Sequence, residues 1–155
     1  KDSNNLFWEG LSCNISSLKS VSKSLFSISS PQLNVVTDPF YGPFSGKMFK
    51  FSTKNKLNSY YHNIKFYKWS PLNLSNAVSN SRLGIIPLDN FNKFMFTKPE
   101  NKLVFMWFMG LPAITSNTNS YCMLEKDIGL KFTVENICEW NQYINQYMDR
   151  NFLRL

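Results

Sequence analysis

The sequence predicts a mainly β domain of seven antiparallel strands, closed by a C-terminal amphipathic helix, and three observations lead there. From Gly46 onward, short segments rich in aromatic and β-branched residues alternate with turn clusters. Two of the connections, Lys98-Pro99-Glu100-Asn101 and Lys126-Asp127-Ile128-Gly129, have hairpin chemistry, the second with a glycine available for a positive φ. After Thr133 the apolar residues change to helical spacing.

Taken in order, the first forty-five residues differ in texture from the rest and read as an N-terminal extension. Leu11, Ile15, Leu18, Val21 and Leu25 recur every three or four residues, so 12–29 is a candidate amphipathic helix that Pro31 ends. The connector Thr37-Asp38-Pro39-Phe40-Tyr41-Gly42-Pro43 forbids continuous regular structure, which places the domain boundary just before Gly46. The expected strands are 47–53, 59–69, 82–88, 92–97, 102–109, 120–125 and 129–132. The closing helix has Thr133 as its cap and Glu135 in its first turn, with Val134, Ile137, Cys138, Trp140, Tyr143, Ile144, Tyr147 and Met148 along one apolar face. Such a face must cover the sheet that precedes it. The domain is thus expected over 46–148, with 149–155 a tail.

The totals narrow the class. A chain of 155 residues that is 43% hydrophobic has enough apolar surface for a packed core. The most apolar run, 103–109, falls well short of the roughly 18 to 20 residues that span a bilayer. Cys13, Cys122 and Cys138 are odd in number and lack C-x-x-C spacing, which argues against a disulfide framework or zinc site and for core or incidental thiols in a reducing compartment. The tripeptides Asn14-Ile15-Ser16 and Asn73-Leu74-Ser75 match glycosylation acceptors, as chance allows in so Asn- and Ser-rich a chain. The chain opens on Lys1, so it reads as processed or as a piece of something longer.

The charge is the most localised feature. Lys47, Lys50, Lys54, Lys56, Lys65, Lys68 and Arg82 lie between Pro39 and Leu88 with no Asp or Glu among them, so this segment carries the whole net charge of +7. A stretch like that projects a positive potential toward an anionic partner. Acid–base or nucleophilic chemistry finds little support. There is one histidine, His62, and neither a metal-ligand cluster nor a glycine-rich phosphate loop, so no enzyme, metal or cofactor is expected.

The order of segments resembles the pleckstrin homology (PH) domain over about 46–148. Gly46-Lys47-Met48-Phe49-Lys50 resembles that family's opening strand, Arg82-Leu83-Gly84-Ile85-Ile86-Pro87-Leu88 its middle segment, and Lys102-Leu103-Val104-Phe105-Met106-Trp107 the strand that follows. Glu139-Trp140-Asn141-Gln142-Tyr143-Ile144 resembles the helix whose tryptophan plugs the barrel. The resemblance implies a structural role for Gly46 and Trp140. It also implies a lipid head-group cup formed by Lys50, Lys54, Lys56 and His62, with Lys47, Lys65, Lys68 and Arg82 as a supporting basic surface. In 59–66 the family's arginine is missing and His62 or Asn63 falls near its place.

On this reading the chain is a non-catalytic, cytoplasmic signalling module, peripheral at a membrane, that binds phosphoinositide, phosphatidic acid or another anionic lipid. The alternative is a scaffold or autoinhibitory module whose ligand is a protein and whose segment 12–29 packs on the domain or a neighbour. A basic RNA-contacting component of a ribonucleoprotein ranks below both.

Overall fold

The computed structural model describes residues 3–25, 31–41, 51–88, 97 and 99–148. The chain starts with β1 (Leu6–Glu9), passes through a 3-10 turn at Ser12–Asn14 into α1 (Ser17–Leu25), and returns as β2 (Leu33–Thr37). Two short strands, β3 (Phe40–Tyr41) and β4 (Phe51–Ser52), pair antiparallel beside the main body. Then α2 (Thr53–Asn58), β5 (Ile64–Lys68), α3 (Pro71–Ser79) and β6 (Leu83–Ile86) follow. The last elements are α4 (Asn101–Phe108), β7 (Ala113–Ser116), α5 (Asn119–Ile128), β8 (Thr133–Val134) and α6 (Ile137–Met148).

Six of these strands form one sheet in the order β5-β2-β1-β6-β7-β8, and every pairing in it is parallel. The expected seven-stranded antiparallel PH-like barrel is therefore wrong: this is an α/β fold with a Rossmann-like strand order. The composition of the strands explains it. Leu6-Phe7-Trp8, Leu33 to Thr37, Leu83 to Ile86 and Ala113 to Ser116 are buried throughout, as strands covered on both faces must be. The exception is β5, at one edge of the sheet, where Lys65 and Lys68 are exposed and discourage pairing with another chain.

Side-chain alternation along the strands sorts the core into two layers. Leu6, Trp8, Leu33, Val35, Leu83, Ile85 and Ile114 pack with Leu18 and Val21 of α1, Leu57 of α2, and Trp140 and Ile144 of α6. Phe7, Val36, Ile86 and Ala113 pack on the other face with Ala77 and Val78 of α3, Leu103 and Met106 of α4, and Tyr121 of α5. The second layer sits close: a Cβ on Gly84 would lie 2.5 Å from Met106 Sδ and 3.1 Å from Ala113 Cβ. Helices on both faces are what parallel strands require, since each connection must cross back over the sheet.

Several expected strands are those crossover helices. The segment 102–109 lies in α4, where Leu103 and Met106 are buried while Val104, Phe105 and Phe108 are exposed, a spacing of three that an aromatic-rich run conceals. The segment 120–125 lies in α5; the Thr118 hydroxyl caps it by accepting from Tyr121 N–H at 3.3 Å. Gly129 does take a positive φ, +68°, but as the left-handed residue that ends α5 rather than as a hairpin turn. Likewise, of the hairpin expected over 98–101, residues 99 and 100 lead into α4, which Asn101 opens, and Lys98 lies outside the described residues. Residues 129–132 precede β8, and most of 47–53 and 92–97 lies outside the described residues.

β1 and β2 lie inside the six-stranded sheet, between β5 and β6; the boundary expected before Gly46 lies outside the described residues. The helix expected over 12–29 is the 3-10 turn and α1, its final residues again outside the description. The closing helix begins later than Thr133, which belongs to β8. Asn136 Oδ1 accepts from Glu139 N–H at 3.2 Å, and the Glu139 carboxylate reaches back to Glu135 N–H at 2.9 Å. Of the three thiols, Cys13 and Cys138 are exposed and Cys122 is half-buried.

Candidate functional site

Strand order reverses between β1 and β6. From β1 the chain crosses through α1 to β2 on one side; from β6 it crosses through α4 to β7 on the other. Connections leaving in opposite directions open a crevice beyond the carboxyl ends of the two strands, and ligands of open α/β sheets bind at such points. A cavity of about 320 Å³ lies there. Trp8 at the end of β1, Asn14 and Ser17 at the start of α1, Ile86 to Leu88 after β6, Asn101 and Lys102 opening α4, and Tyr121 of α5 line it.

Lys102 is the cation of this site. Its Nζ donates to the carbonyl of Glu9, lies 3.8 Å from Glu9 Oε2, and sits 5.3 Å from the centre of the Trp8 ring. Gly10 makes the room, since a Cβ there would lie 3.0 Å from both Lys102 Nζ and the Trp8 indole. A lysine in the first turn of a helix is at the wrong end for the helix dipole, so its charge adds to the partial positive charge of the α4 N-terminus. Together they form a place for an anion.

Tyr121 is 2% exposed and lines the same cavity. Burial, with a contribution from the negative charge of Glu100, pushes its phenol up to about 12, so it stays a neutral hydrogen-bond donor at any physiological pH. The loop beyond is tied down by Leu88 N–H donating to Ser116 Oγ at 2.9 Å. On the other flank Ser12 N–H donates to Asp38 Oδ2 at 3.4 Å, which fixes an exposed carboxylate just past the end of β2. In Rossmann-like folds an acidic residue after the second strand is placed to accept from ribose hydroxyls.

The β1–α1 turn departs from the dinucleotide fingerprint. Gly10 stands where its first glycine would, but Ser12 and the buried Ile15 occupy the other two positions. Close backbone approach by a pyrophosphate is therefore not supported on the α1 side, and the anion-attracting groups lie on the α4 side instead.

The residues expected to form a lipid cup fall on several parts of the chain. Lys47, Lys50 and Gly46 lie outside the described residues. Lys54 and Lys56 are on the helix α2 rather than in a strand-joining loop, and Lys56 Nζ rests 4.3 Å above the Tyr41 ring. His62 is exposed just before β5, whereas Lys68 ends that strand, so the two sit at opposite ends of it. Lys65 stacks on Tyr67 at 5.3 Å. Arg82 is 8% exposed at the start of β6, with its Nε donating to the Tyr147 carbonyl at 3.4 Å. Trp140 is buried between α6 and the sheet, 4% exposed, not in the end of a barrel.

Reading the sequence by its local charge passed over Gly10, Asp38, Lys102 and Tyr121. The signals were an apolar run ending in glycine before a helix, at 6–10, and a second apolar run ending in an aspartate, at 33–38. Among the described residues no helix is long and apolar enough to cross a membrane. No protein-family profile and no curated protein sequence matches this chain.

Proposed function

We propose that this chain is a nucleotide-binding α/β domain. It holds the phosphate-bearing part of a nucleoside phosphate, or of a nucleoside diphosphate joined to a second group, in the crevice between β1 and β6. The observation that carries this reading is the coincidence of three things: the reversal of strand order, the cavity, and the placement of Lys102 at the α4 N-terminus. Lys102 and the first turn of α4 meet the phosphates, Tyr121 and Asn101 supply neutral hydrogen bonds, and Trp8 and Ile86 give apolar contact. Asp38 is the residue positioned for a ribose. The test is calorimetric titration with adenosine, guanosine, uridine and cytidine diphosphates, and with inorganic pyrophosphate. Binding of at least one nucleotide, lost in Lys102→Met, is the expected result; no heat from any of them at millimolar concentration would sink the reading.

A second reading, contact with an anionic membrane surface, is favoured by one corner of the fold. At the carboxyl ends of β2 and β5, Phe40, Phe51, Trp69 and Leu72 are each about half-exposed or more, and Lys54 and Lys68 are exposed beside them. Thr53 N–H to the Pro39 carbonyl, and Trp69 N–H to the Thr37 carbonyl, hold these segments together at 3.1 and 3.0 Å. Aromatic side chains beside lysines suit a headgroup region, each lysine being worth about 1 kcal/mol near an anionic leaflet. Sedimentation with phosphatidylserine or phosphoinositide vesicles that is unchanged by Lys54→Glu and Lys68→Glu together would remove this reading.

A further inference from the structure

We infer that Glu9 is a built-in competitor for the ligand: it pairs with Lys102, and a phosphate must displace it. This rests on the nucleotide reading of the same crevice. Lys102 is held twice by Glu9, through its carbonyl and, at 3.8 Å, through its carboxylate, while its Nζ sits 5.3 Å from the centre of the Trp8 ring. Neither side chain is sealed in, at 30% exposed for Lys102 and 21% for Glu9, so the pair can open without unfolding the domain.

The physical case starts from the helix. A lysine in the first turn of α4 adds positive charge to an end that is already positive, and α4 has no acidic residue in that first turn to offset it. Glu9 comes from a different element, the end of β1, and provides that offset from across the crevice. A bound phosphate would do the same with more charge and shorter, charge-assisted hydrogen bonds. Both anions cannot be close to Lys102 at once without repelling each other, so ligand binding and the Glu9–Lys102 pair exclude one another. Glu100, just ahead of α4, is a second carboxylate near the site, but its charge acts on Tyr121. Removing Glu9 therefore differs from merely lowering the negative charge of the site.

The experiment is calorimetric titration of the intact chain with the tightest-binding nucleoside diphosphate and with inorganic pyrophosphate, comparing Glu9→Gln, Glu100→Gln, Lys102→Met and the Glu9→Gln/Lys102→Met pair. Circular dichroism confirms that each variant is folded. A partly exposed ion pair is worth up to about 1 kcal/mol, so Glu9→Gln should bind about fivefold tighter. Glu100→Gln should gain less than Glu9→Gln does, because its charge acts on Tyr121 whereas Glu9 is the carboxylate beside Lys102. The double variant should bind no better than Lys102→Met. The competitor role is overturned, with nucleotide binding left standing, by any of three results in a domain that binds nucleotide. These are equal or weaker binding by Glu9→Gln, an equal gain in Glu100→Gln, or a gain that survives in the double variant. Absence of binding by every protein would overturn both claims, whereas binding by Glu9→Gln alone would support both.

Discussion

Replacing Glu125 by alanine should detach the edge strand β8 from α5. The Glu125 carboxylate accepts from Phe132 N–H at 2.7 Å, Thr133 N–H at 2.8 Å and the Thr133 hydroxyl at 3.0 Å, while Lys131 Nζ donates to it at 3.2 Å. One side chain thus closes the turn between α5 and β8, where Phe132 and Thr133 are buried. Alanine leaves two backbone donors without that acceptor. Hydrogen bonds to a charged group contribute about 1.5 to 3 kcal/mol each, and β8 lies at the sheet edge where water can replace part of the loss. A total of about 2 to 4 kcal/mol follows, which for a domain of this size lowers the melting temperature by roughly 5 to 15 °C.

The pH dependence supplies a second handle on the same residue. Burial by itself would raise the Glu125 carboxyl, but the donors from Thr133, Phe132 and Lys131 outweigh it and hold the group below the ordinary carboxylate value. A depressed folded value means that the contribution is present in full above the unfolded value of about 4.3 and fades as pH falls through the folded one. The assay is urea denaturation of wild type and Glu125→Ala from pH 7 down to pH 3. Near-equal stability at pH 7, or a difference that stays constant down to pH 3, would refute the reasoning.

Two glycines give contrasting tests. Gly84→Ala should cost about 1 to 3 kcal/mol, because the added methyl meets Met106 and Ala113 in the second core layer; urea midpoints measure it, and a partial rescue by Met106→Ala is expected. Gly129→Ala has open space around it and should cost only the left-handed backbone penalty of about 1 kcal/mol, with no rescue from any neighbour.

Which parts of the fold were legible follows from what each pattern encodes. The strand at 83–86 and the closing helix with Trp140 were within reach because apolar runs and helical spacing report burial directly. Parallel pairing was not, because it depends on partners far apart in the chain: β1 pairs with β2 and with β6, some eighty residues on. The helix α4 was hidden by its content, since Leu103 to Phe108 is apolar all along and half of it faces outward. A helix that is apolar on its exposed side erases the period that would announce it. The lysine cluster misled in the opposite way. It was real as composition, but successive crossings of the sheet spread its described members from α2 to the start of β6, whereas Lys102, which lines the crevice, lies outside the cluster altogether.

The most direct test of the central claim is a map of amide chemical-shift changes on adding a nucleoside diphosphate to isotope-labelled protein. Perturbations centred on Gly10, Asn14, Ser17, Leu88, Lys102 and Tyr121, with Lys54, His62 and Arg82 unmoved, are the predicted result. Perturbations confined to Lys54, Lys65 and Lys68, or none anywhere, would contradict it.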